Sequence, residues 1–413
     1  MFKFKPLVVA ILAVASVQAM AANNAANQWQ SGNDNSASVD QTVAAQSNYA
    51  SQNQFGNLNS AAVTQGNATS NSAYQTQSGD SNNAMANQQQ ATNNSSSQSQ
   101  SGSNNNAYND QYAAQGNSSN QTQSGANNYA TTSQQSQNNS SANVAQNGTG
   151  NDSAVHQWSG EANSAEVTQN GDVNHVHLDQ YSGTYTSTAS IYQEGSGNRN
   201  DFQQEGSGHS LTTSSVGNGN SITGNSWSTS PTGGQYGENH SATLTQNGDD
   251  NSIALMQQGS DHSADVDQVG NANIASLNQS GAGSAATTTQ DGDGNQATVN
   301  QAGNSNELYF AQNGETNVLT ADQNGISNYV GGNSNGTDNV TDVDQVGNDN
   351  YATVHQDYGT DNLTQISQTG DMHSAHVGQG GAGNEAFITQ ASAGNNANVH
   401  QYGNSNLATV SQN

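Results

Sequence analysis

The sequence predicts an all-β fold, a cross-β solenoid of two facing parallel sheets whose rungs are strand-turn-strand units of 22 or 23 residues. Three observations carry this expectation. Glutamine returns at a fixed interval along nearly the whole chain, small apolar residues precede it at alternate positions, and the composition is too polar for an ordinary globular core.

The interval comes first. From Gln246 a glutamine stands at every eleventh residue: Gln257, Gln268, Gln279, Gln290, Gln301, Gln312, Gln323, then Ser334 in its place, then Gln345 and Gln356. After one inserted residue the series resumes at Gln368, Gln379, Gln390, Gln401 and Gln412. In the first half Gln54, Gln77, Gln100, Gln123, Gln146 and Gln169 are spaced by 23, and so are Gln65, Gln88, Gln111, Gln134, Gln157 and Gln180. The unit is therefore double, split 11 plus 12 early and 11 plus 11 late. Gln30 and Gln41 start the array one residue out of step, and Gln193 and Gln204 continue it after a two-residue insertion. Residues 22–205 thus form an Asn/Gln/Ser-rich block of period 23, and residues 241–413 a block of period 22. Between them, 206–240 reads as an irregular break, where the glutamine step fails, Gly and Ser dominate and Pro231 lies.

Alternation gives the strands. Four residues before the late glutamines stand Ile253, Ala275, Ala297, Leu308 or Ala408, and two before stand Leu255, Val266, Val299, Phe310 or Val410. Asparagine stands six before, as at Asn273, Asn295, Asn306, Asn317 and Asn406. Period 2 is the signature of one strand face, and the residues between are mostly polar, as at Asp265 and Asp267. Glycine follows the glutamine by two at Gly248, Gly259, Gly270, Gly281, Gly292, Gly303, Gly314 and Gly325, where a tight turn needs positive φ. Each half-unit reads as a strand of about seven residues and a turn of about four. Roughly 16 or 17 rungs at about 4.8 Å make a rod on the order of 80 Å long.

Composition explains why such a fold is needed. Of 413 residues, 30% are hydrophobic and 8% charged, so the interior must be held by amide and backbone hydrogen bonds. A buried amide without partners costs about 1–3 kcal/mol. Identical amides stacked one rung apart remove that cost, each offering carbonyl and NH2 to its copies above and below. A disordered Asn/Gln-rich tract shares this composition but has no need of a fixed register. Disorder competes best at 91–100, where apolar positions almost vanish, and at 206–240. There is no cysteine, so no disulfide holds the fold. Pro6 and Pro231 are the two prolines, which leaves long stretches free for uninterrupted sheet.

Residues 1–21 read as a secretory signal, with Lys3 and Lys5 as its basic start, Leu7 to Val17 its apolar run and Ala19-Met20-Ala21 its cleavage site. The run is too short to span a bilayer, so the product is expected to be exported and released, with no membrane span. Removing the signal leaves Arg199 alone against 31 carboxylates, a polyanion that should not bind nucleic acid. Only Asp34, Asp40, Asp80 and Asp110 precede residue 150, so the late half should assemble more slowly unless its charge is screened.

The pattern Ser-x5-Gln-x-Gly-x-Gly-Asn-x-Ala-x3-Gln resembles the curlin repeat of bacterial curli fibres. Gln146-Asn147-Gly148-Thr149-Gly150-Asn151 and Gln193-Glu194-Gly195-Ser196-Gly197-Asn198 reproduce its centre, and Asn295-Gln296-Ala297 leading to Gln301 its second half. The resemblance implies a secreted functional amyloid subunit, exported through an outer-membrane curli secretion pore with accessory factors and started by a minor curlin nucleator. It implies cell-surface fibres (a fimbrium) of the biofilm matrix that support adhesion and aggregation. The near-absence of basic residues matches the major, fibre-forming type. The chain departs from typical curlins in having several times their repeats, and AANNAANQWQSGNDN in place of their Gly-rich leader.

The final unit runs to Gln412 and Asn413 with no cap, so the rod's ends are expected to pair head to tail with other copies. A monomeric cell-surface solenoid, acting as an adhesin or an ice- or ligand-binding protein, is the competing expectation. No enzyme and no cofactor are expected, since no catalytic set stands out and neither a phosphate loop nor cysteine is present. Asp291-Gly292-Asp293-Gly294-Asn295 begins like a calcium loop but has Gln296 and Ala302 where an EF-hand needs glycine and glutamate. His175 and His177 share an outward strand face and read as solvated side chains, with no metal expected.

Overall fold

The computed structural model describes residues 23–42, 44–224 and 233–413. The expected signal at 1–21 and Pro231 lie outside the described residues. All regular structure among them is β-strand, and no helix there is long and apolar enough to cross a membrane.

Consecutive strands alternate between two sheets. Ser252–Ser260 pairs in parallel with Ile274–Ala282, while the strand between them, Ser263–Val269, pairs in parallel with Ala285–Asp291 in the other sheet. One sheet runs to 17 strands in this way, so at about 4.8 Å per rung the solenoid is roughly 80 Å long. Register is kept position for position: Gln257 lies opposite Gln279 and Gly259 opposite Gly281. Any one column along the axis is therefore one position of the repeat. For brevity the sheet holding Gln246 and Gln268 is called the first, and that holding Gln257 and Gln279 the second.

Alternation sets the inside. Along Ser252–Ser260, Ile253, Leu255 and Gln257 are buried while their neighbours are not. One apolar cluster runs from Ala130 to Val399, and a small second one joins Ala50, Val63, Ala73 and Ala86. Between them the interior is polar. Ser96, Gln98, Asn109, Ser119 and Gln121 are buried, Asn109 Nδ2 donating to Ser96 Oγ at 2.7 Å and Ser119 Oγ sharing a proton with Thr132 Oγ1 at 2.6 Å. The tract at 91–100 keeps strand register, with Ser95–Ser103 paired on both sides.

Two phenylalanines enter this thin core, each with glycine opposite it on the next rung, and at Phe202 the glycine makes room for the ring. Phe202 faces Gly224 on the next rung and Phe310 faces Gly332. A Cβ at Gly224 would stand 2.3 Å from the Phe202 ring.

The extra residue of the early rungs sits in the turn leading from the second sheet back to the first. Isolated parallel bridges link these turns from Gln46 through Thr69, Thr92, Gln115, Asn138 and Glu161 to Tyr185. At 206–240 the rungs continue. Ser210–Asn218 pairs with Thr188–Ser196 and Ser241–Asn247. Ser221–Gly224 and Gly234–Glu238 share one strand place, both pairing with Arg199–Ser207 and Ser252–Ser260. Residues 225–232 lie outside the described residues.

The glycines have the positive φ expected of them but not the expected place in a tight turn. Gly259, Gly281, Gly303, Gly314 and Gly325 lie inside strands of nine residues, and Gly248, Gly270 and Gly292 just after shorter ones. Their φ values, such as +109° at Gly270 and +139° at Gly325, are not those of a tight left-handed turn. That conformation falls two residues later, on Asp250, Asp261, Ala272, Ser305 or Thr316. Stacking is the further demand on glycine, because a Cβ on Gly270 would lie 2.1 Å from the carbonyl oxygen of Gly292 one rung on.

Gly270→Ala should therefore destabilise the protein by about 1–3 kcal/mol from backbone strain alone, with the axial clash in addition. Gly66→Ala should be nearly neutral, since a Cβ there meets only Gln89 Cγ at 3.9 Å. Denaturant midpoints of the two variants check the difference.

Candidate functional site: the amide ladders and the ends of the rod

The glutamine side chains do two things at once. Gln268 Nε2 donates to Gln290 Oε1 at 2.8 Å, and Gln290 Nε2 to Gln312 Oε1 at 2.9 Å. Each Nε2 also reaches across the interior to the facing strand, Gln268 to the Ser252 carbonyl and Gln290 to that of Ile274, at 3.1 and 3.0 Å. Both N–H donors and the carbonyl are thus occupied without water. Each such bond contributes about 1 kcal/mol net, and orphaning a buried partner costs about 1–3 kcal/mol.

The first-sheet ladder runs through Gln30, Gln54, Gln77, Gln100, Gln123, Gln146, Gln169 and Gln193. Ser215 then takes the glutamine's place, its Oγ donating to Gln246 Oε1 at 3.2 Å. The series goes on through Gln246, Gln268, Gln290 and Gln312, meets Ser334, which donates to Gln356 at 2.7 Å, and continues through Gln379 to Gln401. The second-sheet ladder is continuous from Gln41 to Gln412. Its early part links Gln65, Gln88, Gln111, Gln134, Gln157, Gln180 and Gln204. Its late part links Gln257, Gln279, Gln301, Gln323, Gln345, Gln368, Gln390 and Gln412.

Gln235 joins the two parts, accepting from Gln204 at 2.8 Å and donating to Gln257 at 3.0 Å. Sequence reasoning missed it because the insertion before it stretches one step to 31 residues. A further column, Gln28, Gln52, Gln75, Gln98 and Gln121, lies two residues ahead of the first-sheet ladder. Its 23-residue spacing was present in the sequence but hidden among so many glutamines. Asparagine builds the turn. Asn273 Oδ1 accepts the backbone N–H of Asn295 at 3.0 Å while its Nδ2 donates to the Gly292 carbonyl at 2.7 Å, so one amide clamps its own rung to two points of the next. Within the calcium-like stretch, Asp293 Oδ1 accepts from Asn271 N and Nδ2 at 2.7 and 3.0 Å, and Asn295 belongs to the asparagine column.

The ladders have a direction: every Nε2 points to the following rung and every Oε1 back to the preceding one. Among the described residues Gln30 and Gln41 are the first members of the two columns and Gln401 and Gln412 the last, Gln401 Nε2 donating to the Glu385 and Asn406 carbonyls and Gln412 Nε2 to that of Asn396.

A family model described as the curlin associated repeat matches the chain four times, at residues 138–171, 248–281, 336–370 and 359–391. It is a curlin-repeat protein. No curated protein matches the chain. The matched segments lie on both sides of 225–232; two begin between strands, at Asn138 and Gly248, and two begin at glycines inside strands, Gly336 and Gly359.

This curlin-repeat protein also carries histidine in one asparagine column. The rings of His209, His240 and His262 stack at 5.1 Å with planes 7° and 8° apart. Each Nδ1 accepts the backbone N–H of the next rung, from His240, His262 and Ser284 at 3.4, 3.3 and 3.2 Å. Each Nε2 donates to a carbonyl, of Glu205, Tyr236 or Gln258. These partners fix the neutral tautomer. Burial lowers the pKa of all three, and for His240, with a histidine on either side, to about 4. On the outer face of the second sheet, His175 Nδ1 lies 3.1 Å from Asp152, and His156 and His177 both approach Asp179. Burial pushes the Asp179 carboxyl up, but the hydrogen bonds from those two imidazoles outweigh it and hold the group at about 2.

Two outcomes are expected. The unfolded chain protonates these stacked histidines near pH 6.5, whereas the folded chain resists to about pH 4 at His240. Stability at this column is therefore full above about pH 6.5 and falls as pH drops towards about 4. Replacing His209, His240 and His262 by Asn should remove that acid sensitivity in unfolding curves taken across this range. Gln290→Leu should cost about 1–3 kcal/mol in denaturant melts, because the Gln268 donor and the Gln312 acceptor lose their partner.

Proposed function

We propose that this protein is a secreted structural subunit of the major curlin type, which adds head to tail to copies of itself to make curli-like extracellular fibres. The one observation that supports this most is the polarity of the ladders. A second copy laid with its first rung on the last rung of the other sets Gln30 over Gln401 and Gln41 over Gln412, continuing both columns with donor to acceptor. Such a contact is heterologous and does not close on itself, so it extends into a filament. Curlin membership favours the same reading, with a minor curlin nucleator, an outer-membrane secretion pore and its accessory factors as partners, and biofilm adhesion as the outcome. The role is structural and not catalytic.

Outward acidic residues set the conditions. Asp322 and Asp344 stand opposite one another on neighbouring rungs, and partial burial together with Asp322 and Asp342 raises the Asp344 pKa. Assembly then gains from salt, and calcium should do no more than matched ionic strength. A surface role as a monomeric adhesin draws some support from Tyr309, Tyr329 and Tyr351, which form an outward column with the last two rings stacked at 4.7 Å.

Sheared fibres added to fresh mature protein should abolish the lag in thioflavin fluorescence, and electron microscopy should show unbranched filaments. Gln401→Leu with Gln412→Leu should slow seeded elongation about tenfold as well as lower the denaturation midpoint, since Gln379 and Gln390 lose their acceptors. Gln290→Leu, by contrast, should lower the midpoint without a comparable loss of elongation. An unchanged lag with seeds, or persistent monodisperse rods, would favour the adhesin.

A further inference from the structure

We propose that His156, His177 and Asp179 form a binding site for a divalent transition-metal ion of the zinc type on the outer face of the second sheet. The three come from two adjacent strands, Asp152–Trp158 and His175–Tyr185. His156 lies directly opposite Asp179 across the ladder, and His177 precedes Asp179 by two residues and so shares its face. Parallel stacking with an unshifted register at these positions brings them together; the sequence pairs only His175 with His177.

The donor atoms converge. His156 Nδ1 is 2.9 Å and His177 Nε2 3.1 Å from the same oxygen, Oδ1 of Asp179, and the three atoms all lie within 4.8 Å of one another. Tetrahedral zinc with bonds near 2.0–2.1 Å separates its ligand atoms by about 3.3 Å, so small rotations of the imidazoles seat an ion among them. Without metal, the protons on these two nitrogens bind the carboxylate. The ion takes their place as each neutral imidazole shifts its proton to its other ring nitrogen, which for His177 is the Nδ1 that faces Asp201.

The surroundings hold the ligands in place. The Asp179 side chain is 12% exposed and the two imidazoles 28% and 31%, so the carboxylate forms a floor and the outer side stays open. His156 stacks on Trp158 at 5.8 Å and meets His177 edge-on at 5.4 Å. His177 Nδ1 lies 3.6 Å from Asp201 Oδ1, whose other oxygen accepts from Arg199 at 3.0 Å. A carboxylate behind a ligating histidine orients the ring and strengthens it as a donor. Two imidazoles and a carboxylate suit zinc, with a fourth position left for water or an outside ligand, and do not suit calcium, which takes six to eight oxygens. The other outward histidines lack this arrangement: His376 Nδ1 meets Thr353 Oγ1 and His355 Nδ1 meets Asn333 Oδ1.

Zinc chloride titrated into the full mature chain, followed by calorimetry and by Trp158 emission, tests the site. One zinc per chain is expected. His156→Asn and His177→Asn should each weaken binding at least tenfold, Asp201→Asn by less, and His355→Asn not at all, with the β-sheet circular dichroism of each variant unchanged. No binding to the wild-type chain at 100-fold excess zinc, or binding that survives in the His156→Asn/His177→Asn double variant, overturns the proposal. Read in a Trp29→Phe/Trp227→Phe background, the Trp158 signal reports on this face alone, so its outcome is independent of whether the rods form fibres.

Discussion

The fold rests on the pairing of like amides along the axis. Ala, Val and Leu fill the seam between the sheets but are too small and too few to hold it by burial alone, which yields about 25 cal/mol per Å². A buried glutamine without a partner would be a liability; a glutamine with a copy above, a copy below and a carbonyl across the seam is a fully satisfied group. The same side chain therefore fixes rung spacing, strand register and sheet separation. Where it is absent, at Ser215 and Ser334, a hydroxyl keeps one bond of the column.

This dependence explains how much could be read from the sequence. A period-2 pattern on an 11-residue repeat leaves few folds available, and sheet, register and inward amides followed from it. Gln235 could not be recognised because an insertion changes the step without changing the place in space. The glycines were legible as positions but not in their full cause, since a carbonyl approaching from the next rung is a contact between residues 22 apart, as for Gly270 and Gly292. The histidine column at His209, His240 and His262 was invisible for a related reason: histidine there does the work of asparagine, accepting at Nδ1 and donating at Nε2. Nor could the meeting of His156 with Asp179 be seen before the strands were laid in register.

Length changes are absorbed unevenly. One extra residue per rung is carried by a turn, and Ser221–Gly224 and Gly234–Glu238 share one strand place while columns on either side continue. Strand interiors show no such freedom, because shifting a strand by one residue would send its glutamine outward and its charges inward. In this respect the protein is quasi-one-dimensional: each rung is checked only by its neighbours.

Because every side-chain amide in a column is oriented alike, the columns add as small dipoles placed nose to tail, much as peptide units do in a helix. One tip of the rod is thereby electron-poor and the other electron-rich, quite apart from its ionised groups. Were rods to join as proposed, the facing tips would cancel, and a filament of any length would retain a single pair of unlike poles, giving its two ends different chemical characters.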